Sequence, residues 1–383
     1  MTAINTHAPF VPGRLEQMST RIAFFIAGFG LAAWAPLVPY AKARAGLDEA
    51  TLGLLLLCLG AGSILAMPIS GLLATRFGCR RVLVVGTILI CLSLPLLATA
   101  STLPLLIATL FMFGAGLGAV DSTVNLQAVI VERASGRHMM SGFHGLFSVG
   151  GIAGAAGVSA LLALGLSPLW AIAAVVVLIL AALAKAAPHL LPYGSESSGP
   201  AFAVPHGVVL FIGVLCFIVF LAEGAMLDWS AVFLTTEKSL GEAYAGLGYA
   251  AFALTMTVGR LLGDTIVRRL GARRVIVLGG LFAAFGMALA TLAPNWELSL
   301  LGYALVGVGC SNIVPVLYTA VGKQTVMPES IAVPAITTLG YAGILAGPAA
   351  IGFIAHASSL SLAFLLITAL LLGVAISGRR IKV

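Results

Sequence analysis

The chain has 383 residues and a formal net charge of +7; 60% of the residues are hydrophobic and only 9% are charged. Because soluble domains carry roughly 25% charged residues, this composition excludes a soluble globular protein and indicates an integral membrane protein. The basic residues fall in short loops between apolar runs, so they indicate orientation in a membrane, and we expect no nucleic-acid partner.

Twelve apolar runs are long enough to cross a membrane, since a spanning helix needs about 20 mostly apolar residues. They cover residues 20–40, 50–74, 82–100, 103–131, 139–165, 168–187, 207–234, 243–267, 275–293, 297–321, 330–356 and 359–378. The longest polar break contains YGSESSGP at 193–200, a composition typical of a flexible linker. The sequence therefore predicts an all-α membrane protein with twelve transmembrane helices in two pseudo-symmetric six-helix bundles. The predicted boundaries are 1–187 and 207–383 for the bundles and 188–206 for a cytoplasmic linker.

The distribution of positive charge predicts the orientation. If the N-terminus is cytoplasmic, all but three of the 20 Lys and Arg residues fall on the cytoplasmic side; the exceptions are Lys42, Arg44 and Lys238. Cytoplasmic loops of membrane proteins carry an excess of Lys and Arg, so we expect both termini in the cytoplasm. The short loops fit a bacterial inner membrane.

Small residues recur at helical spacing in several spans, including Gly114 and Gly118 in the fourth, Gly150 and Gly157 in the fifth and Gly302 in the tenth. Such residues allow helix backbones to approach closely within a membrane.

Motifs for metal, nucleotide or hydrolytic chemistry are missing from the sequence. The five cysteines have no metal-binding spacing, and neither an HExxH pattern nor a P-loop is present. We therefore expect no metal, no cofactor, no enzymatic activity and no direct use of ATP.

A short basic turn occurs twice, about half the chain length apart: RFGCRR at 76–81 and RLGARR at 269–274. Each copy stands between two apolar runs. A repeat at half-length is typical of secondary transporters, in which the working site lies between the repeats.

Together, the basic turns, the twelve spans and the central linker resemble the major facilitator superfamily over essentially the whole chain. The loop signature of that family, between its second and third helices, is Gly-x-x-x-Asp-Arg/Lys-x-Gly-Arg/Lys-Arg/Lys. The positions assigned to this motif and its second copy are Gly71, Arg76, Gly78, Arg80, Arg81, Arg260, Asp264, Arg269, Gly271, Arg273 and Arg274. The first copy has Thr75 in place of the usual Asp, and the acid of the second copy is shifted upstream to Asp264. The resemblance implies a monomer whose loop motif latches the two halves on the cytoplasmic side, although membrane orientation alone also explains the arginines.

A narrower resemblance comes from GAGLGAVDSTVN at 114–125 and SGFHGLFSVGG at 141–151. These segments are similar to the fucose-permease-like branch, whose fourth helix carries an acid followed four residues later by Asn. The acid is implicated there in sugar recognition and proton coupling, and by this match Asp121 takes both roles with Asn125 beside it. His144 stands where the branch has Asn. The segments also resemble bacterial inner-membrane permeases without an assigned substrate.

Ionisable residues inside spans are functional candidates, because each costs roughly 2.5–3.5 kcal/mol at mid-helix on insertion scales. Asp121 and His144 are predicted at similar depth on antiparallel neighbours, and Asn125 is one turn from Asp121 on the same face. An Asp–His pair can hold or pass a proton near neutral pH. Glu223 lies in the seventh span. We expect Asp121, Glu223 and His144 to serve proton coupling, with a packing role as the alternative for His144.

The same acids, Asn125 and His144 are predicted to bind the substrate, together with aromatic and amide side chains. Trp34 would stack on a sugar ring or an aromatic solute, Asn312 would bond to hydroxyls, and Tyr318 would line the cavity. Packing explains each of these three residues equally well. Gly224 is predicted to break the seventh span, as in discontinuous transporter helices.

These observations favour a proton-coupled secondary transporter for a small polar solute, sugar-like or an organic acid. The partners expected are this solute, protons and the surrounding bilayer. An exporter of hydrophobic drugs is the alternative. The Gly-x-x-x-Gly-Pro pattern of antiporters is absent from the fifth span and occurs only at 343–348, which favours uptake. A receptor that binds a solute without moving it is a third hypothesis.

Overall fold

The computed structural model describes residues 12–195, 204–241, 244 and 246–380. Most of the predicted linker core and the last three residues lie outside this description. The described residues are folded into α-helices joined by short turns, as the sequence predicts. The helices are α1 (Arg14–Ala33), α2 (Val38–Ala45), α3 (Glu49–Phe77), α4 (Cys79–Thr99), α5 (Leu103–Ser135), α6 (Met140–Ala163), α7 (Pro168–Ala186), α8 (Gly207–Thr236), α9 (Leu247–Leu270), α10 (Ala272–Leu292), α11 (Trp296–Cys310), α12 (Ile313–Lys323), α13 (Glu329–Ala357) and α14 (Leu360–Ser377).

Within the described residues, twelve helical spans are long and apolar enough to cross a membrane, which confirms the predicted architecture of an integral membrane protein. Two of these spans are discontinuous. The first consists of α1 and α2, separated by a 3₁₀ turn at Ala35–Leu37 that contains Pro36. Proline has no backbone N–H to continue the helix, which accounts for the break.

The tenth span is the second discontinuous one, because α11 ends at Cys310 and α12 begins at Ile313. The predicted break at Gly224 is wrong, since α8 continues without interruption from Gly207 to Thr236. Gly224 instead packs against the backbone of Ile344 on α13. A glycine within an apolar helix therefore serves helix packing here.

The two halves use the same helix pairings, which makes the bundle pseudo-symmetric. In the first half α1 packs on α6 and α3 packs on α5; in the second half α8 packs on α13 and α9 packs on α11. Glycines permit this packing: a Cβ at Gly150 would lie 2.3 Å from the carbonyl oxygen of Phe25, and one at Gly343 would lie 2.3 Å from that of Phe217. Backbone contact at this distance leaves no room for a side chain.

Both basic turns place glycine in a left-handed conformation. Gly78, between α3 and α4, has φ of +84°, and Gly271, between α9 and α10, has φ of +80°. Glycine adopts positive φ without the steric cost that other residues incur. We call the end of the bundle that carries these two turns the basic end.

The halves contact each other at the basic end. The backbone of Gly71 on α3 lies directly against Ser330 on α13. The Asp264 carboxylate on α9 accepts hydrogen bonds from the backbone N–H of Gly142 on α6, with both oxygens 3.2 Å from the nitrogen. Further polar contacts across this end join Glu132 to Thr319, Arg133 to Glu329 and Arg133 to the carbonyl of Gly322.

Substitution of Gly150 by Ala is expected to destabilise the protein, because the new methyl group would overlap the α1 backbone and overpacking costs about 1–3 kcal/mol. The matched control is Gly157→Ala on the same helix, where a Cβ meets no atom within 4 Å. Alanine favours the helix over glycine there by up to about 1 kcal/mol, so the control should keep or raise the melting temperature. Thermal unfolding in detergent measures both; equal melting temperatures for the two variants would contradict the packing argument.

Candidate functional site

Arg260 is a buried cation between the two halves, and the sequence-based assignment of this residue to the loop motif is wrong. It lies within α9, about 16 Å before Gly271 at 1.5 Å per residue, and is only 6% exposed. Its Nη2 lies 3.2 Å from a carboxylate oxygen of Glu223 on α8. Its Nη1 donates to the hydroxyl of Ser148 on α6, at 3.0 Å. A buried cation requires such partners because its desolvation is costly.

The Arg260 guanidinium therefore connects three helices and both halves. Glu223 supplies the opposite charge from the second half, and Ser148 supplies a neutral acceptor from the first half. The Nε atom of Arg260 has no hydrogen-bond partner among the described residues. One donor of this cation thus remains available to water or to a bound molecule.

His144 lies one helical turn before Ser148 on α6 and is 8% exposed. Its ring centroid is 5.2 Å from that of Phe24 on α1 and 5.5 Å from that of Tyr318 on α12. Its Nε2 atom is buried and has no partner within the described part of the chain. The imidazole is therefore held by aromatic packing from both halves, while one nitrogen is left unsatisfied.

Tyr318 reaches this position from the second half. Its ring contacts His144, and its hydroxyl forms a 2.7 Å hydrogen bond with the hydroxyl of Thr337 on α13. The phenol oxygen is therefore already partnered within the second half. Tyr318 lines the interface through its ring face.

Asp121 and Asn125 lie one turn apart on α5. The Asn125 amide donates to the backbone carbonyl of Asp121 at 2.9 Å, which agrees with the predicted shared face. The carboxylate of Asp121 interacts electrostatically with Tyr318 and Tyr341 of the second half. It receives no hydrogen bond or ion pair from any described residue. The Asn125 Oδ1 atom is also buried without a partner there.

Trp34 and Asn312 both lie at helix breaks. Trp34 is the C-cap residue of α1 and is 4% exposed, and its indole N–H has no partner among the described residues. Asn312 is the N-cap residue of α12, and its amide donates to the carbonyl of Gly259 at 3.0 Å and to Ser311 at 2.9 Å. Asn312 therefore binds the backbone of α9 one residue before Arg260. This contact gives Asn312 a role in positioning α9.

The structure thus brings Asp121, His144 and Tyr318 together across the interface. Arg260 and Ser148 are further functional candidates. The sequence assigns Arg260 only to the loop motif and assigns no role to Ser148. The signal for Arg260 was present, since it stands within an apolar run, where an ionisable residue is unusual. Ser148 carried no such signal, because a serine in an apolar span is ordinary and only its distance to Arg260 distinguishes it.

We expect Arg260→Met to destabilise the protein by about 3–5 kcal/mol, because it leaves the Glu223 carboxylate buried without its cation. The double variant Arg260→Met/Glu223→Gln removes both charges and should recover most of this loss. Asp228→Asn, at an exposed acid on the same helix α8, is the control and should change little. Denaturant or thermal unfolding in detergent measures the series; a double variant less stable than the single one would contradict this account.

Comparisons with known proteins identify the family of this chain. The family model described as Major Facilitator Superfamily matches residues 21–240 and 210–380. An uncharacterised MFS-type transporter of Yersinia pestis is 58% identical over 371 residues, which cover 97% of each chain.

Solved structures show the same fold. The E. coli fucose:proton symporter FucP superposes with a TM-score of 0.80 at 16% identity, over 96% of this chain and 98% of that one. The proton:xylose symporter XylE gives a TM-score of 0.74 at 13% identity, over 96% and 95%. The chain belongs to the major facilitator superfamily, and it is an integral membrane transporter of that family.

Proposed function

We propose that this transporter is proton-coupled and moves a small polar solute, sugar-like or an organic acid, by alternating access. The observation that carries the proposal is the Asp121 carboxylate, which interacts electrostatically with two tyrosines of the second half and has no counter-ion among the described residues. An unpaired charge in a span is costly, and protonation removes that cost. The protonation state of Asp121 therefore alters the energy of bringing the halves together around it.

Unsatisfied buried polar atoms of the first half support a hydroxylated solute. Buried atoms of Asn125, His144 and Trp34 have no partner among the described residues. Each such atom costs about 1–3 kcal/mol, and a bound molecule or water would recover this energy. The set contains an amide acceptor and an indole donor, and a hydroxyl group can satisfy both types. FucP and XylE, named as sugar:proton symporters, add fold-level support for this class of solute.

The Arg260 contacts suggest how a proton would be linked to movement. Arg260 holds Glu223 in its own half and Ser148 in the other. A proton on Glu223 would remove the charge that fixes the guanidinium, and Arg260 would then be held only by neutral partners. This change weakens the polar contact that Arg260 makes with Ser148 between the halves.

We also propose the orientation and the domain limits. The basic end faces the cytoplasm of a bacterial inner membrane, with both termini on that side, because Lys and Arg concentrate there. The bundles comprise residues 1–187 and 207–383, the linker comprises 188–206, and the functional unit is a monomer. In this orientation the contacts at the basic end close the cytoplasmic side.

Purified protein in liposomes tests the coupling. L-fucose, D-xylose, D-gluconate and the lipophilic cation tetraphenylphosphonium serve as probes, and a pH-sensitive dye inside the vesicles reports proton entry. We expect a sugar or sugar acid to drive proton flux with the wild type. Asp121→Asn should bind the same solute in a thermal-shift assay but lose the solute-driven flux, because the amide cannot release a proton.

The control is Asp228→Asn, which removes a carboxylate of the same size at an exposed position and should retain the flux. Solute-driven proton flux of wild-type size with Asp121→Asn would contradict the assignment of Asp121. Flux driven by tetraphenylphosphonium alone would favour the drug exporter, and binding without counterflow would favour the receptor.

A further inference from the structure

An apolar groove lies on the surface of the first half, between α3, α4 and α5, and has a volume of about 440 Å³. Its walls include side chains that are more than one-third exposed, namely Ile69, Leu73 and Val85. Small residues on α5, Ala115 and Ala119, form part of its floor. The groove is therefore a trough in a surface that an integral membrane protein presents to lipid.

The length of the groove corresponds to one leaflet of a bilayer. Its lining residues on α3 extend from Ala66 to Phe77, which is about 16 Å at 1.5 Å per residue. The hydrocarbon core of a bilayer is about 30 Å thick, so one leaflet contributes about half of that. An acyl chain that enters at the basic end would fill the groove to about the middle of the membrane.

A basic pocket of about 400 Å³ continues the groove at the basic end. Phe77 and Arg81 line both cavities, so the two are contiguous. Arg76 and Arg80 complete the positive charge of the pocket. Among the described residues that line the groove or the pocket, none is acidic.

The arginines of the pocket differ in how they are engaged. Arg80 is held by the linker, since its Nε donates to the carbonyl of Leu190 at 3.1 Å and its Nη2 donates to that of Pro188. Arg76 lies over the ring of Phe77, at 5.1 Å from the centroid. Arg81 is exposed and has neither a hydrogen bond nor an ion pair with any described residue. Arg81 is therefore the cation available to an anion.

Thr75 is an uncharged residue of the pocket. Its hydroxyl donates to the carbonyl of Gly71 at 3.0 Å and also lines the pocket. Because the described lining has three arginines and no acid, the pocket has a net positive charge.

The repeated turn in the second half has the same arginines but different surroundings. At Gly78 the carbonyl of Pro192 lies 2.0 Å from where a Cβ would be, so the linker forms one wall of the pocket. At Gly271 no atom of a described residue lies within 4 Å of the corresponding point. Membrane orientation requires positive charge at both turns alike, and it does not account for this difference between the described surroundings of the two turns.

The geometry points to a binding site for one anionic phospholipid, with its phosphate at Arg81 and Arg76 and one acyl chain in the groove between α3, α4 and α5. Charge complementarity selects the headgroup, because the lining is basic and contains no acid. The apolar groove selects a chain-bearing ligand over free phosphate. The site is distinct from the interface that contains Asp121 and does not depend on the solute transported.

Binding of dioleoylphosphatidylglycerol to the full-length protein in dodecyl maltoside tests this site, by native mass spectrometry and by the shift in melting temperature. Dioleoylphosphatidylcholine and glycerol phosphate are the comparison ligands, the first with a zwitterionic headgroup and the second without chains. We expect phosphatidylglycerol to be retained and to stabilise the wild type, and both comparison ligands to have little effect. Equal stabilisation by phosphatidylcholine or by glycerol phosphate would overturn the proposal.

The internal repeat supplies matched variants. Arg81→Gln should weaken phosphatidylglycerol retention about fivefold, as expected for the loss of one arginine near an anionic headgroup. Arg274→Gln, the equivalent change in the second half, should leave retention unchanged. Equal losses with the two variants would indicate general attraction to the basic end and would overturn the site.

A second pair of variants tests the groove with every arginine in place. Val85→Trp is expected to fill the groove and weaken retention, since Val85 is 57% exposed along its wall. Leu278→Trp, at the equivalent and 40% exposed position of α10, should have no effect on retention. Wild-type retention with Val85→Trp would show that no acyl chain occupies the groove and would overturn the proposal.

Discussion

The guanidinium of Arg260 is a buried charge at the interface between the halves, and it needs partners from both halves. It lies within the span of α9, where an isolated cation would be expensive to desolvate, and it is compensated by Glu223 on α8. The contact with Ser148 on α6 extends this compensation into the other half. Because α8 and α9 belong to one half and α6 to the other, the charge compensation of this residue depends on their relative position. The coupling of proton and movement that we propose uses this dependence, because a proton on Glu223 would change the contacts of Arg260.

Close packing at glycines within each half allows that half to move as one unit. Within the first half, backbones meet where Gly150 contacts Phe25 and where Gly114 contacts Leu59. Contacts of this kind resist change, because no side chain is present that could rearrange. At the basic end the halves meet through hydrogen bonds and ion pairs, such as Asp264 with the backbone of Gly142. The bundles are thus firmly packed internally, and at the basic end they are joined both by exchangeable polar contacts and by the close backbone contact of Gly71 with Ser330.

Much of the fold was predictable from the sequence, and so was part of the site. Apolar run length predicts the twelve spans, because a helix satisfies its backbone hydrogen bonds internally in lipid. The repeated turn predicts two similar halves. The position of Asn125 beside Asp121 follows from helical spacing, and the amide indeed bonds to the Asp121 carbonyl. The break in the tenth span, at Ser311 and Asn312, was not predictable, since serine and asparagine also occur within continuous helices. In the structure, the break coincides with a hydrogen bond from Asn312 to the backbone of α9.

The sequence by itself determined the class of this protein, its spans and the list of ionisable residues that the membrane must accommodate, because hydropathy and charge are local properties. Only the tertiary structure decided which of those residues meet. The sequence assigns Arg260 to a loop motif, whereas its distances to Glu223 and Ser148 place it in the interior. The two basic turns are similar in sequence, yet among the described residues the linker packs on Gly78 and nothing packs within 4 Å of the corresponding point at Gly271. Such pairings join residues far apart in the chain, and no periodicity or composition encodes them.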